Sequence, residues 1–391
     1  MKKVAIFMSH PIQYQIGLLK ELNKSSNIDF HVYYFWDYGI KKTLDREFGK
    51  EIIWDIPLLD GYKSTFLKNI SLNKHVSFFG CINFGVIPLI FYKKFDGVIF
   101  YGWSIFTNWL IILCCILTKT PMIFQCETPL SLEKSKSFLW RLFRKIILGL
   151  LFNKVKVFLY IGKNNKLFYK YFSVPEEKLF FTPYSVDNER YFLEQKKILQ
   201  QEQAPKKRAN QLNLLFIGKL ISKKRPKDLI DAFLISQSLL NNKYQLILHI
   251  VGDGMLRKSL EDFVFKKSIK NIFFHGFKNQ KELSLYYNEA DIFILPSGYG
   301  ETWGLVVNEA MCFSKPIIST NLVGCTADLV TNNNGFVYNC GDINELAMRI
   351  VDLIKNKRKR ILFGKNSKKI VSQYNYKTSA SSICSAINNL M

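Results

Sequence analysis

Pro296-Ser297-Gly298-Tyr299-Gly300-Glu301-Thr302-Trp303-Gly304-Leu305-Val306-Val307-Asn308-Glu309-Ala310-Met311 decides how this chain is read. The run before it, Ala290 to Leu295, is strand-like, and Pro296, Gly298 and Gly300 break it into a loop. From Thr302 to Met311, Leu305, Val306, Glu309 and Ala310 recur at helical spacing. The order is strand, glycine loop, helix, with Glu301 and Glu309 on either side of the corner. The first N–H groups of a helix lack intrahelical partners and form a site for a phosphate. Glu309 lies about two turns further on, at ~3.6 residues per turn, and a carboxylate there accepts hydrogen bonds from sugar hydroxyls. Either Glu alone reads as a dipole-favouring or solvated helix residue. The seven-residue spacing with Gly304 inside it argues for a joint role.

Outward from this stretch, the second half repeats one grammar. Leu212–Ile217, Tyr244–Val251, Asn271–His275, Pro316–Thr320 and Gly335–Tyr338 read as short strands, and Asp228–Leu240 as a helix. The first half does the same. Strands are expected at Val4–Met8, Asp29–Phe35, Glu51–Ile56, Gly97–Tyr101, Pro121–Gln125 and Val155–Ile161. Helices are expected to about Asn23, over Ile105–Leu117 and over Lys163–Phe172. Alternating strands and helices predict α/β, doubly wound domains. Ligands then bind beyond the carboxyl ends of the strands, where His10, Gln13, Trp103 and Glu127 fall. Residues 1–195 are expected to form an N-terminal Rossmann-like domain and 211–372 a C-terminal one, facing each other across a cleft. The polar stretch 196–210 reads as a basic linker, and 373–391 as a helix able to cross back to the first domain.

A chain of 391 residues with 48% apolar content has material for two cores. Its formal charge of +24 implies an anionic partner. The eight cysteines form no C-x-x-C pair, which argues against zinc and a disulfide framework. The start, Met1 to Phe7, is too short an apolar run for a signal peptide, and no run reaches the ~18–20 apolar residues of a membrane span. A cytoplasmic protein is expected. Neither half carries G-x-G-x-x-G after its first strand, so a nicotinamide or flavin cofactor is not expected.

Gly218-Lys219-Leu220-Ile221-Ser222-Lys223-Lys224-Arg225-Pro226 follows the first strand of the second half. Cations at a strand end facing the central stretch suit a leaving group that gains negative charge. These residues together resemble glycosyltransferase family 4. Glu301 and Glu309 match its E-x7-E signature, and Gly218-Lys219-Leu220 with Lys224 its G-[RK]-L-x-x-x-K motif. Val251-Gly252-Asp253-Gly254-Met255-Leu256 is similar to its V-G-D-G-P-L turn, and His275-Gly276-Phe277 to the segment that meets the nucleotide base. The likeness covers roughly Leu212 to Tyr338. The family more often has Arg at Lys219 and usually Gly at Arg225.

The resemblance implies a GT-B fold and retaining transfer from a nucleotide-diphosphate sugar. It implies Glu309 on the ribose, Glu301 on the donor sugar, the backbone of Gly304 and Leu305 toward the phosphates, and Lys219, Lys224 and Arg225 at the diphosphate. No D-x-D occurs in the sequence, so metal-independent catalysis is expected, with no cofactor beyond the donor. Glu127 stands where family members often carry His, and orients the acceptor, acts as base or is structural. His10 is placed near the donor phosphates.

Ser137 to Leu148 reads as a basic, aromatic-rich helix, either on an anionic bilayer or as a core helix with a basic edge. Peripheral membrane contact and a glycan or lipid-linked acceptor, as in surface polysaccharide assembly, follow from the first reading. A nucleotide-sugar epimerase and a non-catalytic membrane or nucleic-acid binder remain alternatives, although no nucleic-acid motif is present.

Overall fold

The computed structural model describes residues 1–40, 43–45, 50–52, 54–200, 210–241 and 243–390. They divide into two compact units. Met1–Thr43, Ile56–Tyr184 and Tyr376–Met391 form one, and Leu44–Asp55 with Ser185–Asn375 form the other.

In chain order the first part runs β1 (Lys2–Met8), α1 (Gln13–Leu22), β2 (Ile28–Tyr34), β3 (Thr43–Asp45), β4 (Lys50–Ile52), β5 (Ser64–Phe66), α2 (Val86–Lys93), β6 (Gly97–Tyr101) and α3 (Phe106–Thr118). It continues with β7 (Met122–Gln125), α4 (Leu130–Lys134), α5 (Phe138–Lys154), β8 (Val157–Tyr160), α6 (Lys163–Tyr171) and β9 (Leu179–Phe181). Seven strands form one parallel sheet in the order β5-β2-β1-β6-β7-β8-β9. The direction of strand order reverses between β1 and β6, which is where such sheets open a ligand crevice. β1 and β7 are buried almost throughout, which is why they read as continuous apolar runs. Helices α2, α3, α5 and α6 cover one face through Ile90, Ile111, Leu151 and Phe168.

The opposite face is covered by α1 and by the last helix, α15 (Tyr376–Asn388), through Leu18, Leu22, Ile383 and Ile387. Burying Ile383 and Ile387 contributes about 1.5–3 kcal/mol each. The Ser379 hydroxyl donates to the Pro183 carbonyl at 2.7 Å, and the Lys2 ammonium to Asn388 Oδ1 at 3.1 Å.

The second unit contains α7 (Asn188–Gln200), β10 (Gln211–Ile217), α8 (Pro226–Leu239), β11 (Gln245–Val251), α9 (Arg257–Lys266), β12 (Ile272–Gly276), α10 (Gln280–Glu289) and β13 (Ile292–Leu295). Then come α11 (Leu305–Cys312), β14 (Ile317–Thr320), α12 (Thr326–Leu329), β15 (Gly335–Tyr338), α13 (Ile343–Lys355) and α14 (Lys357–Val371). Its six parallel strands run β12-β11-β10-β13-β14-β15, with the reversal between β10 and β13.

Three expectations need correction. The strand foreseen over Glu51–Ile56 is β4, which among the described residues pairs with β3 in a separate two-stranded ribbon; residue 53 lies outside them. The polar stretch foreseen as linker over 196–210 begins as the end of helix α7, because Tyr191 and Ile198 bury one side of that helix; residues 201–209 lie outside the described residues. The helix foreseen from Thr302 starts at Leu305, because Gly304 takes a left-handed φ of 94° and breaks the run.

Candidate functional site

In the second unit the crevice end of the sheet is built from the loops after β10 and β13. The first carries Lys219, Lys223, Lys224 and Arg225, and the second Gly298, Gly300 and Glu301. Three contacts join them. Gly298 N–H donates to the Lys223 carbonyl at 2.8 Å, the Lys223 ammonium to the Gly300 carbonyl at 3.3 Å, and the Lys224 ammonium to Glu301 Oε2. A third loop supports them: at Gly252, with φ 138°, a Cβ would fall 1.8 Å from the Gly218 carbonyl oxygen. Only glycine permits that approach.

Lys224 and Glu301 are thus brought together, with side chains 14% and 10% exposed. Lys219 is half-buried on the same loop. Gly304 and Leu305 are buried at the start of α11, and the Val307 N–H turns back to the Gly304 carbonyl at 2.9 Å. Cations, helix N–H groups and a carboxylate therefore converge at one strand-end crevice, a composition suited to an anion bearing a hydroxylated group.

Glu309, foreseen on the ribose, lies on the buried side of α11. It is 0% exposed, and its two oxygens accept from the Tyr191 hydroxyl at 2.9 Å and the Tyr287 hydroxyl at 2.6 Å. Each carboxylate oxygen accepts one tyrosine hydrogen bond and keeps a lone pair with which to accept another. The sequence offered no signal for this arrangement, since Tyr191 and Tyr287 lie 118 and 22 residues away from Glu309.

Arg225 also departs from the family pattern for a structural reason. Its backbone is left-handed, with φ 49°, where glycine is ordinarily preferred. Its Nε donates to Asp228 Oδ2 at 2.7 Å, which raises the affinity of the guanidinium for its proton. Phe277 follows β12 and faces Trp54, with ring centroids 6.1 Å apart. Next to it, Asp55 Oδ2 accepts the Lys281 N–H at 3.2 Å. Trp54 and Asp55 come from the segment around β4, and sequence reasoning did not assign them to this unit.

In the first unit, His10 follows β1. Its Nδ1 is 3.0 Å from the Ser9 hydroxyl, and Trp36 and Tyr38 approach its ring edge-on at 6.4 and 5.2 Å. Burial pushes the His10 imidazolium down to a pKa of about 4, so the ring is neutral at pH 7. Glu127 follows β7 and is hydrogen-bonded to the Tyr184 hydroxyl. Burial first, and then the Glu127 charge, push the pKa values of Tyr184 and Tyr101 well up. Glu127 therefore sits against two phenols that stay neutral. Trp103 serves the core: its ring stacks on Phe168 at 5.8 Å and Arg144 covers it at 5.0 Å.

The basic aromatic stretch is helix α5, which extends to Lys154. Phe138, Leu139, Trp140, Phe143, Ile146 and Leu150 are exposed on it. Arg144, counted among its basic residues, turns inward instead. Its Nε and Nη2 donate to the fully buried Glu133 carboxylate at 2.9 and 2.7 Å. No helix among the described residues is long and apolar enough to cross a membrane.

Three comparisons with known proteins bear on this geometry. The chain is 30% identical over 162 residues to an uncharacterized glycosyltransferase, MJ1178, of Methanocaldococcus jannaschii, a match covering 41% of this chain and 44% of that protein. It is 27% identical over 158 residues to the capsular polysaccharide biosynthesis glycosyltransferase CapM of Staphylococcus aureus, covering 40% of each. The matched region spans less than half the length of these curated relatives. The crystal structure of Anabaena HepE in complex with UDP superposes with a TM-score of 0.73 over 100% of both chains at 18% identity. The fold class is therefore GT-B, with two parallel sheets of seven and six strands. Residues 197–370, which hold Lys219, Lys224, Arg225, Glu301 and Glu309, match the model of the family described as glycosyl transferases group 1.

Proposed function

We propose that this chain is a retaining glycosyltransferase of family 4, moving a sugar from a nucleotide-diphosphate sugar to a glycan or lipid-linked acceptor in surface polysaccharide assembly. The observation that carries the reading is the Lys224–Glu301 pair at the β10/β13 reversal, beside the start of α11. The group 1 family match over the same residues supports it, as does the similarity to CapM. The likeness to HepE, solved with UDP, supports the fold on which the reading rests.

The Lys224 ammonium is neutralised by Glu301. A bound donor replaces both halves of that pair. Its diphosphate takes the ammonium, with Lys219 and Arg225 nearby, and its sugar hydroxyls take the Glu301 carboxylate. The N–H groups at Gly304 and Leu305 stabilise the charge that grows on the diphosphate as the glycosidic bond breaks. Cations and N–H groups supply the work a metal does in other transferases, so the reading needs neither a metal nor a cofactor. Phe277 lies at the base. In the first unit, Glu127 orients the acceptor hydroxyl or offsets positive charge on the sugar ring, and neutral His10 donates or accepts a hydrogen bond near the donor phosphates. The exposed apolar side chains of α5 support peripheral contact with the inner face of an anionic membrane, within reach of a lipid-linked acceptor.

The test is a panel of nucleotide sugars screened by thermal shift, followed by transfer assays on the wild type, Lys224→Ala and Glu301→Ala. The expected result is a raised melting temperature with one donor class and product of retained anomeric configuration. Turnover of donor without any acceptor, or full activity in both variants, overturns the reading.

A further inference from the structure

The seven-stranded sheet has a second end. The loops bearing His10 and Glu127 leave the carboxyl ends of its strands, and at the opposite edge β1, β6 and β7 begin. There a cavity of about 580 Å³ opens among Lys2, Lys94, Asp96 and Lys119, with Phe91 and Leu390 on its apolar side. Lys94 follows the end of α2 and Lys119 the end of α3. Among the described residues, none of the three ammonium groups is ion-paired. Lys2 bonds only to neutral acceptors, Asn388 Oδ1 at 3.1 Å and the Ile387 carbonyl at 3.4 Å. One oxygen of Asp96 is taken by the Lys3 N–H at 2.7 Å.

The surface beside the cavity is apolar. Helices α2 and α3 pack on each other. Facing outward they expose Tyr92 (84%), Leu113 (53%) and Leu117 (62%). Large exposed apolar side chains on two helices that pack together mark a surface with an apolar partner. Three unpaired cations at their edge specify the charge of that partner.

We propose that the cavity holds the phosphate headgroup of an anionic membrane lipid, with the outward side chains of α2 and α3 entering the acyl region next to it. This rests on the peripheral-membrane part of the proposed function and adds to it a headgroup site separate from α5. Apolar side chains alone bind neutral and anionic bilayers alike, whereas lysines at the bilayer surface favour anionic ones. A soluble anion accounts for the lysines but leaves the apolar surface without a role.

The experiment is co-sedimentation of the full chain with phosphatidylcholine vesicles and with vesicles containing phosphatidylglycerol. Donor binding is followed in parallel by thermal shift with UDP. The wild type is expected to prefer the anionic vesicles, and Lys94→Glu/Lys119→Glu to lose that preference by about tenfold or more. A second variant, Lys94→Gly/Lys119→Gly, guards against misfolding. Both positions are left-handed, with φ 45° and 57°, so glycine fits them while removing the charge. It is expected to keep the UDP response and to lose most of the anionic preference. Undiminished anionic binding in both lysine variants overturns the proposal. If Trp140→Ala/Phe143→Ala alone abolishes binding, the membrane contact stands through α5 and the headgroup site is overturned. Wild type that ignores vesicles but is stabilised by soluble glycerol phosphate through the same lysines also overturns it. Loss of the UDP response in the wild type is a failure of the proposed function instead.

Discussion

Lys224 and Glu301, 77 residues apart in the chain, form an ion pair at the base of the crevice where the strand order of the second sheet reverses. Neither is stabilised there by solvent, since both side chains are largely covered. In the proposed reaction each exchanges its partner for a part of the donor. Lys224→Ala and Glu301→Ala are therefore each expected to lower transfer by about 10²-fold or more, as losing one preorganised electrostatic contact does elsewhere. The double variant is expected to lose much less than the product of the two, because the residues act as a unit. Steady-state kinetics on the three variants check this, and strict multiplicativity contradicts it.

Glu309 makes the opposite prediction. Its carboxylate is held by the Tyr191 and Tyr287 hydroxyls away from solvent. Tyr287→Phe leaves a buried charged oxygen without its donor and is expected to cost about 1–3 kcal/mol of folding stability. Glu309→Ala is expected to lower the melting temperature along with donor affinity. Denaturant titration reads the first effect. A Glu309→Ala protein of unchanged stability but weak donor binding argues for a direct ligand contact.

Arg225→Gly separates backbone from side chain. The left-handed backbone at φ 49° costs a non-glycine residue roughly 1–2 kcal/mol, and the partly exposed Asp228 pair returns about 0.2–1 kcal/mol. The variant is expected to melt at the same temperature or higher, while its KM for the donor rises several-fold. Thermal melts and donor titrations measure both. A lower melting temperature shows that the Asp228 pair outweighs the strain.

His10 titrates in the acid range. Its folded pKa of about 4 lies below the unfolded value of 6.5, so between these values the unfolded chain binds the proton and the native one does not. The contribution is present above pH 6.5 and is lost as pH falls toward 4. At pH 5 the loss is about 1–2 kcal/mol. His10→Gln is expected to flatten this part of the pH dependence when melting temperatures at pH 5 and pH 7 are compared between variant and wild type.

The fold was legible because buried parallel strands are apolar on both faces. Val4–Met8, Leu212–Ile217 and Ile292–Leu295 announce themselves as uninterrupted runs. Short edge strands such as Ser64–Phe66 and Leu179–Phe181 are half-exposed, carry no such run and were missed. The basic loop and the first Glu were legible too, because both sit immediately after a strand and so must reach the same end of the sheet.

What the chain's own residue order determined is local: which segments are strands and helices, and at which end of each the chemistry-bearing side chains emerge. Tertiary structure alone decided the direction those side chains face. Glu309 is sealed by tyrosines from α7 and α10, Arg144 turns in to Glu133, and Trp54 reaches Phe277 from the segment beside a distant ribbon. A charge in a sequence has no orientation. Which way it points depends on whether its desolvation is met by hydrogen bonds from residues far along the chain, and only the folded packing brings those partners near.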